Sequence, residues 1–345
     1  MALRLAVVGC GKAAQRIALP QLQRCRNARV VALVDIDRAV ARHAARQCGL
    51  NAPVWTDWRR MLREAEVDAV AVCVPNRFHA EVTIAALHAG KHVIVEKPMA
   101  TTLADADAMV DAARARRRCL MVEQSQRFDP AHETAREILR CGLLGRVTQL
   151  RGRIGHAGPQ YWAGTRATWL TDHRQAGGGA LMDIGVHILD VLRWLSGKEV
   201  RRICCQAGTL EQRVPVEDNA SAMMEFTDGT LGSFEASWTT RPYEVMTQWY
   251  AERGTLRTAF GAPHPVVVQR CRRRGDPNQL LAEDYPAVPA VSRHGSAYQH
   301  FVTCVLKGTP PIVSGEDGRA TLAVILAAYA SVRSGEWVNV PQRRA

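Results

Sequence analysis

Three separated groups of residues in this chain could do chemistry. The first is Gly9-Cys10-Gly11-Lys12-Ala13-Ala14, a Gly-x-Gly-x-x-Ala pattern that follows the apolar run Leu3 to Val8. One glycine permits a tight turn. The next lets a backbone approach a pyrophosphate, and the small Ala14 lets helix and strand pack closely. A helix opening there offers N–H donors and a favourable dipole to an anion. Asp35 ends the next apolar run, about 20 residues beyond the motif, where an acidic side chain accepts hydrogen bonds from ribose hydroxyls. A 2'-phosphate would be repelled there, so the pattern favours NAD. Arg38 lies close by and would admit NADP as the alternative.

The second group is Glu96-Lys97-Pro98. Lysine occurs only at positions 12, 91, 97, 198 and 307, whereas arginine is abundant. A compact ammonium at a strand end can polarise a hydroxyl or carbonyl oxygen and can change its pKa by partial burial. The third group lies in Gly177-Gly178-Gly179-Ala180-Leu181-Met182-Asp183-Ile184-Gly185-Val186-His187. On a helix Asp183, His187 and Asp190 fall at i, i+4 and i+7, one polar stripe. Histidine titrates near neutral pH and suits a general base or acid. Before it, the segment from Gly155 to Arg174 gathers His156, Tyr161, Trp162, Arg166, Trp169 and His173. Aromatic rings stack on sugar faces and the polar groups read hydroxyls, so these are candidate substrate contacts.

The elements that must position these groups follow from periodicity. Strands are expected at Leu3–Val8, Arg29–Val34, Val67–Val74, His92–Val95 and Cys119–Val122. Helices are expected at Lys12–Cys25, Asp37–Cys48, His79–Ala89 and Leu103–Arg117. Apolar strands alternating with helices imply a parallel sheet covered on both faces, the doubly wound nucleotide-binding architecture. Asp35, Pro75-Asn76 and Glu96-Lys97-Pro98 then fall at the carboxyl ends of strands, where such folds bind ligands. Beyond residue 123 the pattern changes. Strands are expected at Ile203–Leu210, Ala220–Phe226, Leu231–Trp238 and Val245–Glu252, with Asp228-Gly229 as a hairpin turn. A helix at Ala180–Leu195 precedes them, and helices near Ser296–Leu306 and Glu316–Val332 follow. The Pro- and Arg-rich stretch 261–293 reads as a long irregular connection.

The fold class is therefore α/β: an N-terminal Rossmann domain, 1–123, and an α+β domain with a large, mostly antiparallel sheet, 124–345. The length of 345 residues suits two such cores. No apolar run reaches the roughly 20 residues of a membrane span. The start has no signal-peptide layout, and the 10 scattered cysteines read as reduced thiols. A cytoplasmic protein is expected. The net charge of +12 accompanies no nucleic-acid-binding motif, so the basic residues read as solvated faces. No Cys/His group has zinc spacing, and no metal is inferred.

At this point the chain resembles the Gfo/Idh/MocA oxidoreductases, typified by glucose–fructose oxidoreductase and inositol 2-dehydrogenase. The resemblance rests on the glycine motif, Pro75-Asn76-x-x-His79, Glu96-Lys97-Pro98, Arg127-Phe128-x-Pro130, the Gly177-to-His187 stretch and Gly315-Glu316-Asp317-Gly318. It implies that Lys97 is the catalytic lysine and that Asp183 and His187 are the catalytic pair. It implies that Asn76, His79 and Glu96 line the cofactor. Gln124 and Arg127 would stand where the chain crosses into the second domain near the nicotinamide, Gln124 as a cofactor contact and Arg127 as a substrate contact. It also implies a homo-oligomer, dimer or tetramer. One departure concerns the substrate side: the family often has Trp-Arg shortly before its triple glycine, but here Leu170 follows Trp169, and Arg166 or Arg174 would have to substitute.

The function expected is hydride transfer between the nicotinamide and a secondary alcohol or ketone carbon of a sugar, aminosugar or cyclitol. A keto-sugar or nucleotide-sugar reductase is the second reading. A cofactor-binding regulator without catalysis is the third, and the presence of Lys97, Asp183 and His187 argues against it.

Overall fold

The computed structural model describes residues 2–163, 168–271 and 279–343. Contacts group the chain into two compact units. The first comprises Met1–Gln124, Trp162–Gly177 and His294–Leu322; the second comprises Ser125–Tyr161, Gly178–Arg293 and Ala323–Ala345. The sequence suggested a single cut after residue 123. The contact units differ from it by returning two later segments to the first unit.

The first unit holds a six-stranded sheet of order β3-β2-β1-β4-β5-β6. Its strands are β1 (Leu3–Val8), β2 (Ala28–Val34), β3 (Val54–Trp55), β4 (Ala69–Val72), β5 (His92–Glu96) and β6 (Leu120–Glu123). Every pairing is parallel. All four residues of β4 are buried, as a strand covered on both faces requires. The strand order reverses between β1 and β4, which makes that edge the switch point of the sheet. The helix expected over Lys12–Cys25 forms as a π turn, Ala14–Ala18, running into the helix Leu19–Arg24. Pro20 has no N–H to give to the preceding turn, which accounts for the change of register.

The second unit holds a nine-stranded sheet of order β14-β13-β12-β11-β7-β10-β9-β8-β15. Its strands are β7 (Val147–Gly155), β8 (Val200–Gly208), β9 (Asn219–Phe226), β10 (Leu231–Ser237), β11 (Glu244–Ala251), β12 (Gly254–Ala259), β13 (Val266–Cys271), β14 (Leu280–Asp284) and β15 (Val338–Asn339). Only the β7–β10 pair is parallel. Along β10, Phe234 and Ala236 are buried while Glu235 is exposed, the alternation of a sheet with one covered face. The stretch 261–293 is not the irregular connection expected. Its described part contains β13 and β14, an antiparallel edge of the sheet. The β-branched run Val266-Val267-Val268 drives that pairing, and the prolines on either side hid it.

The helix Val186–Ser196 covers the sheet. Gly152 on β7 makes the approach possible, since a Cβ there would stand 2.6 Å from Ile188 Cγ1 and 3.1 Å from Leu192 Cδ1. Overpacking a filled core costs about 1–3 kcal/mol. Gly152→Val is therefore expected to lower stability by that order in urea denaturation and to reduce turnover by displacing the helix.

Candidate functional site

In the first unit the glycine turn is shaped for a dinucleotide. Gly9 has φ +89°, and a Cβ there would lie 2.5 Å from the carbonyl of Cys73 at the end of β4. Only glycine fits. A Cβ on Gly11 would meet nothing within 4 Å, so its backbone faces open space at the helix start. Lys12 and Ala13 are exposed and Ala14 is buried. The Asp35 carboxylate is held at the end of β2 by two backbone amides, Cys10 N to Oδ2 at 2.8 Å and Asp37 N to Oδ1 at 3.0 Å. Arg38 is exposed one residue past the helix cap Asp37. These features fit a pyrophosphate over Gly11 and a ribose at Asp35.

The ends of β4 and β5 are tied together by His79. Its ring nitrogens lie 2.8 Å from the carbonyl oxygens of Pro98 and Val74. Burial holds the imidazole neutral, with its pKa pushed down to about 4 against the pull of those carbonyls. Pro75 precedes the short turn Asn76–Phe78. The Asn76 amide donates to the Ala176 carbonyl at 2.8 Å, which fastens this loop to the helical turn His173–Ala176 within the same unit. Gln124 is 1% exposed at the end of β6.

Glu96 is buried at the end of β5, and Lys97 beyond it is half-buried. Tyr298 donates to Glu96 Oε1 at 3.4 Å. Glu123, also buried, is the paired residue on β6. Burial pushes the Glu96 carboxyl up to about 7, opposed by Lys97 and by the Tyr298 hydroxyl.

In the second unit the expected helix begins with a π turn, Leu181–Gly185, and continues as Val186–Ser196. π turns of this kind recur at functional sites. From Gly178 to Leu195 every residue is buried except Asp183 and His187. The predicted stripe is thereby split. Asp190 is 0% exposed and pairs with Arg127, Nε to Oδ2 at 2.6 Å and Nη2 to Oδ1 at 2.8 Å. Arg127 also lies over the Trp194 ring. This corrects the expectation that Arg127 touches substrate: its guanidinium is buried, 2% exposed, and turned into the core. His156 is buried too, and its Nδ1 accepts from Gly158 N at 3.0 Å, which fastens the loop after β7. Tyr161 is 65% exposed and Trp169 half-buried. The Trp162 side chain and all of Arg166 lie outside the described residues.

Sequence reasoning missed the partners of the Asp183 segment. Trp238 Nε1 donates to Asp183 Oδ2 at 3.2 Å. Glu217 Oε1 accepts from Gly179 N at 2.9 Å, from Leu181 N at 3.1 Å and from the Tyr329 hydroxyl at 2.7 Å. The available signal was the acidic pair Glu217-Asp218 just before a strand, opposite a run of glycines.

Comparison with known proteins bears on both units. Residues 3–124 match the family described as "Oxidoreductase family, NAD-binding Rossmann fold". Residues 132–257 match the "GFO/IDH/MocA C-terminal domain". The chain is similar to the D-glucoside 3-dehydrogenase of Escherichia coli strain K12, 29% identical over 98% of this chain and 97% of that one. It is 30% identical to the 1,5-anhydro-D-fructose reductase of Ensifer adhaerens, over 83% of each chain. Among solved structures, GenD2 from gentamicin A biosynthesis in complex with NAD superimposes with a TM-score of 0.84 at 26% identity, covering 99% of this chain and 97% of that one.

The shifted carboxyl has a consequence for stability. Unfolded, Glu96 titrates near 4.5; folded, near 7. The fold therefore favours the protonated form, and stability falls as pH rises through this window. Relative to Glu96→Gln, the wild type is expected to lose roughly 2–3 kcal/mol between pH 5 and pH 8. Urea midpoints of the two proteins at both pH values check this.

Proposed function

Because the chain belongs to the Gfo/Idh/MocA oxidoreductase family, we propose that it oxidises or reduces a secondary carbon of a sugar, aminosugar or cyclitol with NAD. The observation that carries this reading is the pair Asp183 and His187, the two residues with accessible surface in an otherwise buried run of eighteen, Gly178 to Leu195. Nature places ionisable groups at the edge of an apolar core where chemistry needs them. The relatives support the substrate class, since one is a glucoside 3-dehydrogenase and another an anhydrofructose reductase.

Gly9, Gly11, Lys12, Ala13 and Ala14 would hold the pyrophosphate, and Asp35 the ribose. Pro75, Asn76, His79, Glu96 and Gln124 would line the remainder of the cofactor site. The bound nicotinamide supplies the hydride acceptor or donor. His187 takes the hydroxyl proton in the oxidative direction and returns it in the reductive one. The Lys97 ammonium hydrogen-bonds the oxygen of the reacting carbon and stabilises negative charge developing on it. Asp183 holds a neighbouring hydroxyl or orients His187. Tyr161 and Trp169 are the described aromatic residues offered for the sugar face. The reductive direction is the second reading, favoured by the similarity to a reductase.

We place the enzyme in the cytoplasm. All 10 cysteines are free thiols, as a reducing compartment allows, and no helix among the described residues is long and apolar enough to cross a membrane. We also read it as a homo-oligomer, dimer or tetramer, with Met223 and Leu231, 58% and 57% exposed on the open sheet face, as part of its contact surface. Light scattering reports the mass.

A screen of glucosides, levoglucosan, 1,5-anhydro sugars and inositols with NAD and NADP, followed at the reduced nicotinamide band, tests the activity. His187→Ala is expected to lose about 10²–10⁴-fold in kcat while still binding NAD. Wild-type turnover by that variant would remove His187 from the reaction. Asp35→Ser is expected to raise the use of NADP relative to NAD, because it removes the carboxylate that repels a 2'-phosphate.

A further inference from the structure

Asp183 is fixed from two directions, and both lead to the same dipeptide. Its own backbone N–H donates to Gly179 O at 2.8 Å. Gly179 is in turn gripped by Glu217, whose carboxylate takes the amides of Gly179 and Leu181 and whose carbonyl takes Ala180 N at 2.9 Å. The approach is close. A Cβ on Gly179 would lie 2.0 Å from the Glu217 carbonyl oxygen, and one on Gly178 would lie 1.8 Å from the Tyr329 hydroxyl. The second direction is the Asp183 carboxylate, which accepts from the Trp238 indole. Trp238 is 0% exposed, and its backbone N–H donates to Asp218 O at 2.7 Å. Asp218 is itself locked: its carboxylate accepts from Leu210 N, Glu211 N, Gln212 N and Asn219 Nδ2 at 2.7–2.9 Å.

From this geometry we propose that Trp238 is a positioning residue for Asp183, and that Glu217-Asp218 is the fixed point from which helix start and indole are both set. Glu217 decides where the π turn begins. Asp218 decides where the indole stands. Because the two are consecutive residues, the Asp183 backbone and the Asp183 carboxylate are referred to one short piece of chain. The inference rests on the reading of Asp183 as a group that meets substrate.

Four variants test it, assayed with whichever sugar or inositol of the screen is turned over. Asp183→Asn comes first. If it retains wild-type kcat, the reading of Asp183 fails and this inference falls with it. If it is impaired, Trp238→Phe is compared with Trp249→Phe. Trp249 is equally buried in the same sheet and donates to Thr247, so its variant carries a similar cavity without touching Asp183. Trp238→Phe is expected to lower kcat about 10–100-fold, the range for a lost hydrogen bond to a charged group, with the NAD dissociation constant within about twofold of wild type. Trp249→Phe is expected to keep its kcat. Equal kcat for the two tryptophan variants overturns the proposal. Should Trp238→Phe not fold, Glu217→Met, which keeps the length of the side chain and removes the oxygen acceptor, is expected to lower kcat several-fold with NAD affinity kept; unchanged kcat there overturns the proposal. An activity-independent signature is available as well. In protein labelled with ¹⁵N-tryptophan, one indole N–H resonance is expected to shift in Asp183→Asn and to be the one absent from Trp238→Phe. A spectrum of Asp183→Asn in which every indole resonance keeps its position overturns the hydrogen bond itself.

Discussion

A charge that leaves water must find a partner, and that constraint arranges both halves of this molecule. Along the helix Val186–Ser196 it is met at Asp190, where both carboxylate oxygens are taken by the Arg127 guanidinium. Such a pair contributes little net stability relative to an apolar substitute, yet breaking it strands a buried charge at a cost of about 3–5 kcal/mol. It therefore fixes the rotation of the helix. With Asp190 committed inward, the face of the helix that keeps Asp183 and His187 accessible is settled. In the first unit the same constraint is met incompletely at Glu96. Lys97 and Tyr298 oppose burial but do not overcome it, and the carboxyl titrates near neutrality. One helix turns its buried charge into rigidity; one strand end keeps a buried carboxyl whose pKa is raised, next to Lys97.

The parts legible in the sequence were those written in local chemistry. Gly9 is forced by φ and by the Cys73 carbonyl, so glycine there carried information. Asp35 and Lys97 stood at strand ends because parallel strands buried on both faces are apolar runs with sharp limits. Asp183 and His187 were polar exceptions in an apolar stretch. The parts that stayed hidden were set by partners distant in the chain. Arg127 looked like a substrate ligand until Asp190, 63 residues later, was placed against it. β7 has a weak pattern because Gly152 replaces an apolar side chain on the covered face that Leu150 and Ile154 share, and arginines flank it. Its register comes from β10 and β11. β13 and β14 were masked by prolines and arginines at their borders.

Both candidate segments carry a π turn, Ala14–Ala18 after the glycine motif and Leu181–Gly185 at Asp183. Each turn takes up one residue more than an α turn. The break in the i, i+4, i+7 stripe lies beyond the turn: His187 and Asp190 both stand in the α-helix Val186–Ser196, and the Arg127 guanidinium takes Asp190 inward.

The bond from Asn76 to Ala176 has a bearing on which substitutions the chain around it can accept. It ends on a backbone carbonyl, so it asks no particular chemistry of the side chain at position 176, only that it be small enough for the buried site of Ala176. Two residues later the tolerance ends, because Gly178 and Gly179 have no room for even a methyl group. Drift or grafting can alter the exposed His173 and Arg174, but must keep position 176 small and Gly177, Gly178 and Gly179 as glycines.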